Sequence, residues 1–146
     1  MPAAIARYGA RVLPNTLEII SRCKARDEFI RGPHIAEFEQ AFARRAGGAH
    51  AVTAAYARMA FYYVVRALNL PRGSEAIFPA LTFWAIPEMA RVAGLKVVFA
   101  DVDPATFVVD PASIERAITP ATRAIVPTHL YGLPCDMDAI VSIARK

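Results

Sequence analysis

Lysine is scarce in this chain. Of 17 basic residues only three, Lys24, Lys96 and Lys146, carry an amine, so few groups could serve amine-dependent covalent chemistry. Cysteine is almost absent. Cys23 and Cys135 lie far apart, with neither CxxC nor His-rich spacing around them. That pattern argues against a zinc site and suits two buried thiols of a reduced, cytosolic protein. Long charge runs are missing too: the formal net charge of +4 is scattered, and no basic run exceeds the pair Arg44-Arg45. Aromatics do not alternate with these charges, which speaks against a nucleic-acid partner. No uncharged apolar run is long enough to span a bilayer. Arg7 and Arg11 are followed by no continuous apolar stretch of the kind a signal peptide needs. The expectation is a soluble cytoplasmic protein with no membrane or nucleic-acid partner and no bound metal.

Three catalytic signatures are absent as well. Without GxGxxG or GxxxxGK[ST], dinucleotide and P-loop readings lose their main support. Without Gly-x-Ser-x-Gly, a hydrolase of the nucleophile-elbow type does too.

What is present is a globular composition. The 146 residues are 55% hydrophobic with a mean hydropathy of +0.31, enough for a sizeable core in about one domain. Residues 15–29 place Leu17, Ile20, Cys23 and Phe29 near helical spacing behind a possible cap at Asn15 or Thr16. Arg31-Gly32-Pro33 interrupts the chain, and "HIAEFEQAFARRAG" then sets Ile35, Phe38, Ala41 and Phe42 on one helical face, ending at Gly47-Gly48. From there short apolar runs alternate with helical ones. "AHAVTA", "EAIF", "KVVFAD" and "TRAIVPTH" read as strands; residues 58–68, 85–93, 111–117 and 135–146 read as helices. That alternation predicts an α/β fold, a mainly parallel sheet with helices on both faces. The chain also stops inside a helical pattern, which reads as an incomplete domain.

In open α/β sheets ligands bind outside the carboxyl ends of the strands. Residues 55–58, 79–84, 101–110 and 127–132 fall there, and they offer aromatics, small residues, one histidine (His129) and helix starts. Asp101, Asp103 and Asp110 could suggest a carboxylate metal site. Asp103-Pro104 reads better as a turn, and Asp110 as a helix cap before Pro111. His129, alone after a buried strand, reads as a structural hydrogen-bond partner.

"FIRGPHIAEFEQAFARRAGG" and the long segment from "GSEAIFPALTFWAIPEM" through "DVDPATF" to "TRAIVPTHLYGLPCDMDAI" resemble the DegT/DnrJ/StrS family of pyridoxal-phosphate-dependent nucleotide-sugar aminotransferases. The resemblance covers Phe29 to the end. It implies the large domain of the aspartate-aminotransferase type (fold type I), here incomplete. Residues 1–33 would form an N-terminal helical segment and 34–146 a partial pyridoxal-phosphate-binding domain. It also implies a homodimer that moves an amino group from an amino-acid donor to a small-molecule keto-sugar, nucleotide-linked, through the cofactor. Phe83, after Thr82, matches the aromatic that stacks on the cofactor ring, while its neighbour Trp84 is expected to turn into the fold. Where the family has Ser-Gly-Thr in its phosphate loop this chain has Tyr56-Ala57-Arg58. The Ala57 and Arg58 amides can still form a phosphate cup at a helix start. A cation in the first helical turn opposes the macrodipole, so Arg58 either meets the phosphate or sits solvated at the helix edge. None of the three lysines matches the family's Schiff-base lysine, and the carboxylate that pairs with the cofactor's ring nitrogen has no counterpart either. The alternative expectation is therefore an inactive truncated product, at most a cofactor-binding or dimerising module.

Overall fold

The computed structural model describes residues 14–28, 30 and 32–146. Phe29, expected on the face of the first helix, and the leader argument built on Arg7 and Arg11 fall outside them. The chain divides into two compact units, one ending at Thr53 and the other running Ala54–Lys146. The division comes later in the chain than the expected 33/34 boundary.

The first unit holds α1 (Thr16–Ala25) and α2 (Pro33–Ala46). The first helix stops short of the predicted residue 29 because its end is tied off. Asp27 enters the left-handed region at φ 54°, its N–H donates to the Lys24 carbonyl at 3.3 Å, and the Glu28 N–H donates to Cys23 at 2.9 Å. This is the paired-bond helix ending usually led by glycine. The second helix starts at Pro33, whose missing N–H costs nothing in a first turn, and ends at Gly47 (φ 71°). Its predicted apolar face is only partly realised: Ala43 is buried, while Ile35, Phe38 and Phe42 are exposed. "AHAVTA" is not a strand. The Thr53 N–H and hydroxyl both donate to one Glu39 carboxylate oxygen, at 2.7 and 2.9 Å, so that donor is not offered to a ladder. These two bonds hold the Glu39 carboxyl below the usual range, the backbone one chiefly.

The second unit runs α3 (Ala57–Ala67), β1 (Glu75–Pro79), α4 (Ala85–Val92), β2 (Lys96–Ala100), α5 (Pro111–Ala117), β3 (Thr122–Ile125) and α6 (Met137–Ala144). The three strands are parallel in the order β2-β1-β3. As the central strand, β1 is buried from Ala76 to Pro79, which is why it reads as a near-continuous apolar run. Successive side chains point to opposite faces. Ile77 packs with Ala100, Val109, Ile114, Ile140 and Ile143 beneath α5 and α6. Ala76 and Phe78 pack with Val65, Ala90 and Leu95 beneath α3 and α4. The third strand ends before the predicted residue 129: Val126 donates a last ladder bond to Ile77 at 2.8 Å, and Pro127 has no N–H to continue it. Among the described residues no helix is long and apolar enough to cross a membrane.

Candidate functional site

The strand order locates a crevice. After β1 the chain crosses through α4 on one face, and after β3 it enters α6 on the other. The carboxyl ends of β1 and β3 are adjacent strands with diverging connections, the place where open α/β sheets take ligands. The two exit loops are tied there by a hydrogen bond between the hydroxyls of Thr82 and Thr128, 2.8 Å apart.

The helix α3 starts at the same edge. Its last turn (Val65, Arg66) and the following Asn69 share one cavity, of about 620 Å³, with Val92, Ala93 and Gly94 at the end of α4. Both helices therefore end near the amino edge and begin near the carboxyl edge. At the start of α3, the Met59 and Ala60 N–H groups both donate to the Tyr56 carbonyl at 3.0 Å. The Ala57 and Arg58 amides precede these bonds, as first-turn donors without an intrahelical acceptor, and among the described residues no side chain caps them. The Arg58 guanidinium lies 4.4 Å from the centre of the Tyr56 ring. Arg58 is exposed at the helix edge, and this contact offsets the unfavourable placement of a cation in a first turn: an exposed contact of this kind contributes about 0.5–1 kcal/mol.

Phe83 and Trp84 do not diverge as expected. Trp84 does not turn into the fold: it is 73% exposed, more than Phe83 at 54%. The expected divergence presumed extended backbone, whereas Trp84 is already helical (φ −48°, ψ −33°) at the start of α4. The two rings stay together, centroids 5.9 Å apart. Trp84 lines a groove with Ala80, Thr82, Pro87, Val97 and Phe99, to which Phe83 does not contribute. Both rings remain available at the mouth of β1.

The neighbouring candidates are structural. Asp110 caps α5 by accepting from Ala112 and Ser113 N–H at 3.0 and 3.1 Å. Asp103 accepts from Ala105 N–H and the Thr106 hydroxyl, both at 2.9 Å. His129 Nδ1 accepts from the Cys135 N–H at 3.0 Å, and the Cys135 thiol donates to the Thr128 carbonyl at 3.1 Å. Together they pin the β3 exit loop, which turns at Tyr131-Gly132 with both φ positive. Sequence reasoning missed Thr82–Thr128, because two threonines 46 residues apart carry no local signal. Of the lysines, Lys96 opens β2 and so lies at the amino edge. Lys146 donates to Glu115 at 2.8 Å, and Lys24 belongs to α1.

Open helix-start amides and exposed aromatics thus lie together at the carboxyl edge of this α/β unit. The chain belongs to the DegT/DnrJ/EryC1/StrS aminotransferase family, whose model matches residues 14–146. It is 42% identical over 115 residues to GDP-perosamine synthase of Caulobacter vibrioides, covering 79% of this chain and 31% of that protein. It superposes on an aminotransferase from Psychrobacter cryohalolentis with a TM-score of 0.85 and 31% identity, over 92% of this chain and 35% of the other. NtdA from Bacillus subtilis, solved with bound cofactor PMP, matches at TM-score 0.84 and 32% identity, over 88% and 30%. The fold is that of the fold-type I pyridoxal-phosphate aminotransferases, present in part. The chain spans about a third of the length of these relatives.

Proposed function

We propose that this chain supplies the cofactor-holding N-terminal part of a pyridoxal-phosphate-dependent aminotransferase that acts on a nucleotide-linked keto-sugar with an amino acid as donor. The observation that carries it is the pair of uncapped amides at Ala57 and Arg58, opening on the same sheet edge as the exposed Phe83 ring. The residues fit the group. Two N–H donors and a helix dipole suit a phosphate, Arg58 adds a positive charge, and Phe83 offers a flat partner to a pyridine ring. The cofactor supplies an electron sink for the bond-breaking step. The chain's own residues bind and orient: Ala57 and Arg58 hold the phosphate, Phe83 fixes the ring plane, and Thr82–Thr128 keeps the two exit loops in register. A cytoplasmic homodimer belongs to the same reading and rests on the family resemblance.

A second reading is favoured by the lysines. Lys96 sits at the amino edge of the sheet and Lys146 is engaged by Glu115. The chain by itself would then bind the cofactor without turning over substrate.

Equilibrium titration of the purified chain with pyridoxal phosphate and with pyridoxal tests the proposal. The phosphate-bearing ligand should bind more tightly. Arg58→Gln should weaken it by roughly 10-fold or more, the scale of a hydrogen bond to a charged group, and leave pyridoxal unchanged. Equal affinity for the two ligands, or indifference to Arg58, would overturn it.

A further inference from the structure

The junction between α1 and α2 gathers three unlike donor groups that no part of the aminotransferase reading uses. The Cys23 thiol, the Glu28 carboxylate and the His34 imidazole offer one ligand atom each, all within 4.8 Å of one another. The chain is built to bring them together. The Glu28 N–H bonds the Cys23 carbonyl at 2.9 Å through the helix ending, which folds Glu28 back over Cys23. Gly32 then lets the start of α2 approach. A Cβ there would stand 2.9 Å from Glu28 Cβ and 3.0 Å from the Glu28 carbonyl oxygen, closer than packing tolerates. His34, in the first turn of α2, arrives with Nε2 3.9 Å from a Glu28 carboxylate oxygen.

Two further observations point to a ligand. That Glu28 oxygen is buried and has no hydrogen-bond partner among the described residues, although its side chain as a whole is 19% exposed. A buried acceptor left unpaired costs about 1–3 kcal/mol and more when charged, so it calls for a missing partner. The other histidine nitrogen, Nδ1, lies 3.2 Å from the Glu37 carboxylate. A carboxylate behind one ring nitrogen fixes the tautomer that presents the other to a metal.

We infer that Cys23, Glu28 and His34 form a site for a borderline-soft divalent cation of the zinc class, with Glu37 as a positioning residue and a fourth position open to water. Sulfur, imidazole and carboxylate together are donors that Zn²⁺ accepts in a tetrahedral set. Binding releases the thiol proton to solvent, and the cation neutralises the thiolate and the orphaned carboxylate. Spacing does not reveal the site, because the helix ending and the Gly32 approach, rather than a CxxC register, set the geometry.

The test is to strip the purified chain with chelator and titrate it with Co²⁺, then with Zn²⁺. One equivalent of Co²⁺ should bind with a thiolate-to-cobalt charge-transfer band, and Zn²⁺ should displace it, following the divalent affinity order. Cys23→Ser should abolish the band and Cys135→Ser should keep it. His34→Asn, at an exposed position that leaves the fold intact, should weaken binding while the band remains at saturation. Glu37→Gln should lower affinity about 10–100-fold with the band unchanged, and Gly32→Ala should lower it by displacing Glu28. Absence of a charge-transfer band, a band that survives Cys23→Ser, or affinity unaffected by both His34→Asn and Glu37→Gln would overturn the assignment.

Discussion

Two connections leave the carboxyl edge of the same sheet and treat their side chains in opposite ways. Between β2 and α5 two of the three acids use their carboxylates internally. Asp103 closes a turn and Asp110 caps a helix. The Asp101 N–H donates to the Ser113 hydroxyl at 2.7 Å, and Val108 and Val109 are buried. Between β1 and α4 the reverse holds. Leu81, Phe83 and Trp84 are exposed, the α4 N-cap makes no side-chain cap bond, and the segment's one side-chain hydrogen bond among the described residues is Thr82 to Thr128. The segment rich in carboxylates is the structural one, and the segment rich in apolar rings is free for a ligand. Residue type alone suggests the opposite.

The contrast can be broken at its structural end first. Ile114, fully buried where α5 meets β1 and β2, should lose about 2–5 kcal/mol of stability on change to alanine, measured by denaturant unfolding. A loss below 1 kcal/mol would mean that the β2–α5 face is not a packed core. Asp110→Ala removes both cap bonds of α5 and should cost about 0.5–2 kcal/mol. Asp110→Asn should recover much of that, and a charge-reading metal role would show no such rescue. At the other end, Trp84→Ala and Phe83→Ala should each shift stability by no more than about 0.5 kcal/mol, as surface changes do. Phe83→Ala should still weaken pyridoxal phosphate binding by roughly 2–10-fold, the scale of one aromatic stacking partner. A large stability loss at Trp84 would return that ring to the core and remove the contrast.

The sequence made the sheet legible where local and global signals agree. The apolar run of β1 lies between breakers, and Asp110-Pro111 announces a helix start that the structure shows bond by bond. It misled where a partner was presumed. Residues 49–54 have the composition of a buried strand, yet the Thr53 N–H goes to Glu39. Trp84 was placed by strand alternation in a segment that has already become helical. The crevice itself follows from strand order, which no single motif encodes. Ala57, Arg58 and Phe83 are proposed through family resemblance together with helix-start logic. Cys23, Glu28 and His34 were invisible because a left-handed Asp27 and the close approach at Gly32, neither readable as metal spacing, bring them together.

The central claim is that the carboxyl edge, and not the roomier cavity at the amino edge, holds the phosphate. Amide chemical-shift mapping on isotope-labelled chain during titration with pyridoxal phosphate tests it most directly. The account predicts saturable shifts at the Ala57 and Arg58 amides and around Phe83, with the Ala57 and Arg58 shifts absent when pyridoxal replaces the phosphorylated ligand. Shifts confined to residues 101–110, or to the cavity lined by Arg66, Arg72 and Gly94, with Ala57 and Arg58 unmoved, would contradict it.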